Sequence, residues 1–214
     1  MYKNEGDEFL KSIITCDETY LQYYDPEDRK QSSEWRIRGQ PPPKKVHKQP
    51  FGKKLMALVF FDFYGILCTH FVEPGTTLNG LGFSDVLKTK LRRAILNKRQ
   101  GTPIHQKNKF YLHMDNARPH IANIAKLSVD KIDGEILPHP ANSPDLSPCD
   151  FYLFTKLKRT LRGHHFENDN EVKAATKSAL RQLGIDGFED VFRSWVRKWE
   201  KCIKNNGDYV EHNF

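Results

Sequence analysis

Residues 54–74, KLMALVFFDFYGILCTHFVEP, restrict the possible folds more than any other stretch of the chain. Two apolar runs, 55–61 and 66–72, flank Asp62-Phe63-Tyr64-Gly65, the pattern of a β-hairpin with a short polar and glycine turn. The first run is apolar at nearly every position. A strand with one wet face alternates, so this strand is expected to be covered on both faces. Asp62 and Gly65 interrupt the run, and no apolar stretch reaches the ~20 residues that a membrane-spanning helix needs. No membrane partner is expected.

The rest of the chain supplies the covering layers. SIITCDETY (12–20) reads as a strand, with β-branched residues first and Asp17-Glu18 at its end. SDVLKTKLRRAILNK (84–98) reads as a helix with Ser84 as N-cap and Val86, Leu87, Leu91, Ala94 and Ile95 on one face. FYLHM is a strand ending at Asp115, and Pro119 falls in the first turn of a helix over about 118–130, where a missing N–H costs little. EILPHP (135–140) is a further strand. From Asp150 the pattern is helical, with Phe151, Phe154, Leu157 and Leu161 on one face and Gly163 as the stop. Helices follow over 169–183 and 187–204, the latter with Phe188, Val191, Phe192, Trp195, Val196 and Trp199 facing the core. A hairpin, then alternating strands and helices, then a run of helices predicts an α/β mixed sheet with helices on both faces.

Charge narrows the function. The 214 residues carry 34 Lys+Arg against 27 Asp+Glu, net +7, which favours a polyanionic partner and nucleic acid first. The surplus is concentrated. Residues 26–54 hold nine Lys/Arg against Glu27, Asp28 and Glu34, a local net of +6, and 25–54 contains five prolines. A segment so polar cannot form its own core and reads either as a surface loop or as an arm lying on phosphates or a neighbouring subunit. Lone Trp35 favours the arm. Cys16, Cys68, Cys149 and Cys202 show neither CxxC nor zinc spacing, so a redox or zinc site is not expected.

Three acids then stand out: Asp17 and Asp115 at the ends of strand-like runs, and Asp150 after the proline-fixed loop NSPDLSPC. The ends of neighbouring central strands lie side by side, so Asp17 and Asp115 can meet despite their distance in sequence. Carboxylates at such positions suit Mg²⁺, which takes oxygen ligands, and a pair of such ions can activate an attacking oxygen and stabilise a leaving one at a phosphodiester. From the residues alone, Asp145 is as well placed as Asp150 to open a turn or helix. Arg118 and His120 can contact phosphate or the third acid, or serve to start the helix. Glu18 is a further candidate beside the metal.

These motifs resemble the catalytic domain of mariner-family transposases. The likeness lies in CDE (16–18), HMDNARPH (113–120), HPANSPDLSPCDFYLF (139–154) and GDYVE (207–211). DPEDRKQSSEW and PPPKK also resemble the family's loop between its first two strands. Thirty-four residues separate Asp115 from Asp150, the family's spacing of second and third acids, which selects Asp150 over Asp145. The resemblance implies an RNase H-like fold with an extended basic clamp-type loop. It implies one catalytic domain over 1–214, with 25–54 inserted between the first and second strands. It also implies an Asp17, Asp115, Asp150 triad that is both catalytic and metal-binding, with Mg²⁺ (or Mn²⁺) as cofactor. The activity implied is cleavage at transposon ends and joining into TA targets, in the nucleus, by a homodimer formed through the clamp-like loop. DNA contacts are expected from Arg118, His120, Arg36, Arg38, Lys44 and Lys45. The family's N-terminal helix-turn-helix region has no counterpart here, so an N-terminally truncated copy is expected, with loss of specific end recognition. Asn142 stands where the family usually has Tyr, and Phe61 where it usually has Trp. The alternative is a non-catalytic DNA-binding or dimerisation module derived from such an enzyme.

Overall fold

Strand β2, Lys54–Asp62, is buried on both faces, as its composition predicts. Its residues sort by parity: Leu55, Ala57, Val59 and Phe61 enter one apolar core, and Leu58 and Phe60 enter another. Phe60 and Phe61 are each fully buried, on opposite faces, and each such side chain stabilises the fold by about 1.5–3 kcal/mol. The computed structural model describes residues 1–26, 53–106 and 109–210. Arg36, Arg38, Lys44 and Lys45, with most of the clamp-like segment, lie outside the described residues.

Five strands form one mixed sheet in the order β3-β2-β1-β4-β5. β1 is Ile13–Gln22, β3 is Gly65–Phe71, β4 is Phe110–His113 and β5 is Gly134–Leu137. β1, β2 and β3 are antiparallel neighbours, whereas β4 runs parallel to β1, and β5 to β4. One face carries α1, continuous over 80–98, and α2, Asn123–Asp130. The other carries α3 (149–161), α4 (Asp169–Leu183) and α5 (Glu189–Lys204). This is the expected mixed sheet with helices on both faces. Among the described residues no helix is long and apolar enough to cross a membrane.

Several boundaries differ from the sequence reading. Asp17 does not close β1; the strand runs on to Gln22 because β2 continues to pair with it, Asp17 opposite Val59. α1 begins at Gly80, one turn earlier than expected, and its N-cap is Asn79, whose Oδ1 accepts the Gly82 N–H at 2.9 Å. Ser84 lies inside the helix, buried, its hydroxyl 2.7 Å from that of Ser128 on α2. The helix expected over 118–130 is two pieces, Arg118–Ile121 and α2, broken by the extended backbone of Ala122. The start of α1 presses against this break: a Cβ on Gly80 would stand 2.8 Å from the Ala122 Cβ, so only glycine permits the approach. β5 stops at Leu137 because Pro138 and Pro140 have no N–H for the ladder. α3 opens with a π-turn, Cys149–Phe154, and this wider turn shifts its buried face to Cys149, Leu153, Phe154 and Leu157.

The hairpin turn is fixed by a buried ion pair that periodicity does not reveal. Asp62 Oδ1 accepts the N–H groups of Tyr64 (3.0 Å) and Gly65 (3.2 Å). Arg99, just beyond α1, grips the same carboxylate with Nε at 2.5 Å and Nη2 at 2.8 Å, and Nη2 also donates to the Gly65 carbonyl. Both side chains are shut away from water, so neither can lose its partner cheaply. Arg99→Ala is therefore expected to destabilise the protein by about 3–5 kcal/mol in urea unfolding. The Asp62→Asn, Arg99→Leu double variant is expected to recover part of that loss, because it leaves no buried charge.

Candidate active site

The β1–β4 register brings the first two acids together. Ile13, Ile14 and Thr15 pair with Tyr111, Leu112 and His113. Two residues further along each parallel chain stand Asp17 and Asp115, so continuing the register sets them side by side at the end of β4. Strand alternation then divides the motif Asp17-Glu18. Odd-numbered Ile13 and Leu21 belong to the α3–α5 face, even-numbered Ile14 and Cys16 to the α1–α2 face. Asp17 thus shares the face from which α3 and Asp150 approach, and Glu18 points toward the opposite layer.

Asp150 is the second residue of the π-turn that opens α3. The turn Pro144–Leu146 leads into it, and the N–H groups of Asp150 and Phe151 both bond the Ser147 carbonyl at 3.0 Å. Asn142, at the start of this loop, takes a positive φ of 54°, which Asn tolerates better than most side chains.

The three carboxyls feel one another. Burial, then the charge of Asp150, raises Asp17 to about 8, against the pull of the Glu18 amide on its carboxylate. Burial also raises Asp150; the Ser147 side chain lowers it and the Asp115 charge raises it. Asp115 alone is lowered, first by its bond from His120. Carboxylate oxygens that repel one another have the chemistry to hold a hard divalent cation. Yet among the described residues no three carboxylate, imidazole or thiol groups form a ready-made metal cage. Asp115 Oδ1 is engaged by the Ala117 N–H at 3.0 Å and His120 Nδ1 at 2.6 Å.

His120 is the cation bonded to Asp115. It is fully buried against the Phe83 ring, and its Nε2 lies 3.1 Å from Glu18 Oε1. With a carboxylate at each ring nitrogen it is held as an imidazolium: the bonds from Asp115 and Glu18 outweigh burial and raise it to about 10. A DNA contact was also expected of His120. Its ring nitrogens are both committed inside the protein, and it joins Glu18 to Asp115 across the end of the sheet. Arg118, two residues earlier, is exposed and remains available to phosphate.

A second histidine escaped the sequence reading. His113 packs edge-on to Trp195 and sits between the Thr15 hydroxyl (2.9 Å from Nδ1) and His139 Nδ1 (3.0 Å from Nε2). Burial lowers His113 to about 3, so it is neutral. His139 meets His113 beneath the proline loop, while the Asn116 side chain donates to the His139 carbonyl at 2.9 Å. The available signal for His113 was its place two residues before Asp115, on the inward parity of β4.

Comparison with known proteins gives this arrangement a lineage. A family model described as "Transposase (partial DDE domain)" matches residues 25–104. The chain is 30% identical to the mariner Mos1 transposase of Drosophila mauritiana, over 98% of the chain and 59% of that protein. It is 29% identical to the histone-lysine N-methyltransferase SETMAR of Homo sapiens, over 98% of the chain and 30% of that protein. It thus spans less than two thirds of either relative. A Mos1 paired-end complex with Mn superposes with a TM-score of 0.86 at 30% identity, covering 98% of this chain and 59% of that one. The crystal structure of the Mos1 catalytic domain superposes with a TM-score of 0.77 at 27% identity, covering 98% of this chain and 88% of that one.

The five-stranded mixed sheet between helical layers is the RNase H-like fold of DDE-type transposases. Within that class the chain is similar to the mariner Mos1 transposase and superposes on the catalytic domain of that protein.

The His120 bridge generates a test. His120→Ala leaves Glu18 and Asp115 facing each other without the cation between them. Metal-free urea unfolding is expected to show a loss of about 2–3 kcal/mol, the scale of hydrogen bonds to charged groups.

Proposed function

We propose that this chain performs divalent-metal-dependent cleavage and joining of DNA phosphodiesters, with Asp17, Asp115 and Asp150 as the catalytic, metal-holding acids. The observation that carries the reading is the electrostatic coupling of three carboxyls delivered by three separate elements: mid-β1, the tip of β4 and the first turn of α3. Two Mg²⁺ or Mn²⁺ ions bound there would supply an activated nucleophile and a stabilised leaving oxygen. The chain's own part is to hold the acids. The β1–β4 register fixes Asp17 beside Asp115, His120 and the Ala117 amide orient Asp115, and the Ser147 turn aims Asp150.

The substrate proposed is transposon-end DNA, with TA as the joining target. The support is a Mos1 structure described as a paired-end complex with left transposon end. Pairing of two ends also supports a homodimer, for which the basic segment 25–54 is the proposed contact. Its Arg36, Arg38, Lys44 and Lys45, with exposed Arg118, are the proposed phosphate contacts. Chromosomal DNA as substrate makes the nucleus the proposed site of action. The part of Mos1 beyond the matched span is where recognition of particular ends is proposed to lie.

A second reading is a DNA-binding or dimerisation module without turnover. One observation favours it: a relative matched along 98% of this chain is named for histone methylation and not for transposition.

One assay separates the two. With pre-nicked transposon-end DNA and Mn²⁺, the wild-type chain is expected to cleave or join strands. Asp115→Ala and Asp150→Ala are each expected to reduce the rate by about 10³-fold or more, as loss of several kcal/mol of transition-state stabilisation requires. Activity that survives both substitutions sinks the triad; salt-sensitive binding without any turnover supports the second reading. Arg118→Ala is expected to leave the triad intact and to lower the dependence of log Kd on log salt by about one unit, read from binding titrations at several salt concentrations.

A further inference from the structure

Asp145 is set aside by the spacing that selects Asp150, yet the fold buries it, with 2% exposure. Its Oδ2 accepts the main-chain N–H of Val210 at 2.8 Å, sixty-five residues later in the chain. Val210 is itself buried, 3% exposed. The other oxygen, Oδ1, has no hydrogen-bond partner among the described residues. Enclosing a carboxylate with one oxygen unmatched is costly, so what the Val210 amide gives this group matters to the turn around it.

That turn leads directly to the active site. Asp145 is the middle residue of Pro144–Leu146, which packs on α5. The Ser147 N–H bonds the Pro144 carbonyl at 3.1 Å, and the Ser147 carbonyl in turn receives the N–H groups of Asp150 and Phe151. A continuous path of hydrogen bonds and turn backbone therefore runs from the amide of Val210, through Asp145 and Ser147, to Asp150.

We propose that Asp145 and Val210 form a latch: docking of the Val210 amide on Asp145 holds the 144–150 turn, and Asp145 is thereby a positioning residue for Asp150. The consequence for metal rests on Asp150 holding metal, as proposed above; the latch itself does not.

The test uses the full chain and two readouts, amide hydrogen exchange and Mn²⁺ binding followed by the electron paramagnetic resonance of free Mn²⁺. In Asp145→Ala, the amides of 146–152 are expected to exchange at least ~10-fold faster, while those of α4 keep their protection. Asp145→Asn, which keeps an acceptor oxygen, is expected to retain the protection. Ending the chain at Tyr209 is expected to reproduce Asp145→Ala, and the two changes combined to add nothing further. Mn²⁺ affinity is expected to fall about 10-fold in both, the scale of losing a group that orients a metal ligand. Should Asp145→Ala raise exchange throughout the protein, the chain ended at Tyr209 carries the same comparison. Unchanged protection at 146–152 in that shortened chain, or additive effects of the two changes, overturns the latch. Faster exchange at 146–152 with unchanged Mn²⁺ affinity upholds the latch and overturns the metal role of Asp150, so the two ideas fail separately.

Discussion

The parallel pairing of β1 with β4 is the constraint on which the rest of the structure depends. It is short, with three residue pairs, and it joins parts of the chain ninety-eight residues apart. Its register sets Asp17 beside Asp115 and puts Thr15 against His113. A slip of one residue would turn each of these side chains to the opposite face of the sheet. The register is secured because Ile13 and Ile14 are both fully buried, one in each core, so a slip would also exchange the two apolar layers. The hairpin of β2 and β3, closed by Asp62 and Arg99, supplies the antiparallel wall that carries β1 past the end of β4 as far as Gln22.

That wall explains the electrostatics. A sheet sandwiched between apolar layers has a poorly hydrated end, and three carboxyls gathered there cannot all ionise freely. The structure meets this in two ways. His120 lies buried as a cation between Glu18 and Asp115, and its bond to Asp115 favours the charged form of that acid. Among the described residues Asp17 and Asp150 have no such buried cation as a hydrogen-bond partner, and both are raised, first by burial. The acids are thus unequal before any ion arrives: Asp115 is oriented and charged, while Asp17 and Asp150 are the pair whose repulsion a divalent cation would relieve.

Much of this was legible in the sequence. The unbroken apolar run of β2 told that layers lie on both sides, and the family's motifs and their spacing singled out Asp17, Asp115 and Asp150. The helices 169–183 and 187–204 followed from strong periodicity. What escaped was non-local or aperiodic. The break at Ala122 and the π-turns of α1 (Leu87–Leu91) and α3 (Cys149–Phe154) leave no signature in a 3.6-residue pattern. The Asp62–Arg99 pair and the Asp145–Val210 bond join residues thirty-seven and sixty-five apart, and nothing in either residue's own neighbourhood names its partner. His120 was seen, but its burial was not, because burial is decided by Phe83 packing from another element. Ser84 looked like a cap only because Asn79, the true cap, lies outside the strongly periodic part of α1.

The central claim is that the three acids together hold the catalytic metal. Anomalous diffraction from crystals of the chain soaked in Mn²⁺ tests it most directly. The account predicts Mn²⁺ density within about 2.2 Å of carboxylate oxygens of Asp17, Asp115 and Asp150, near the oxygen distances of small hard divalent ions. Mn²⁺ bound elsewhere, with these three carboxyls left unligated, would contradict it.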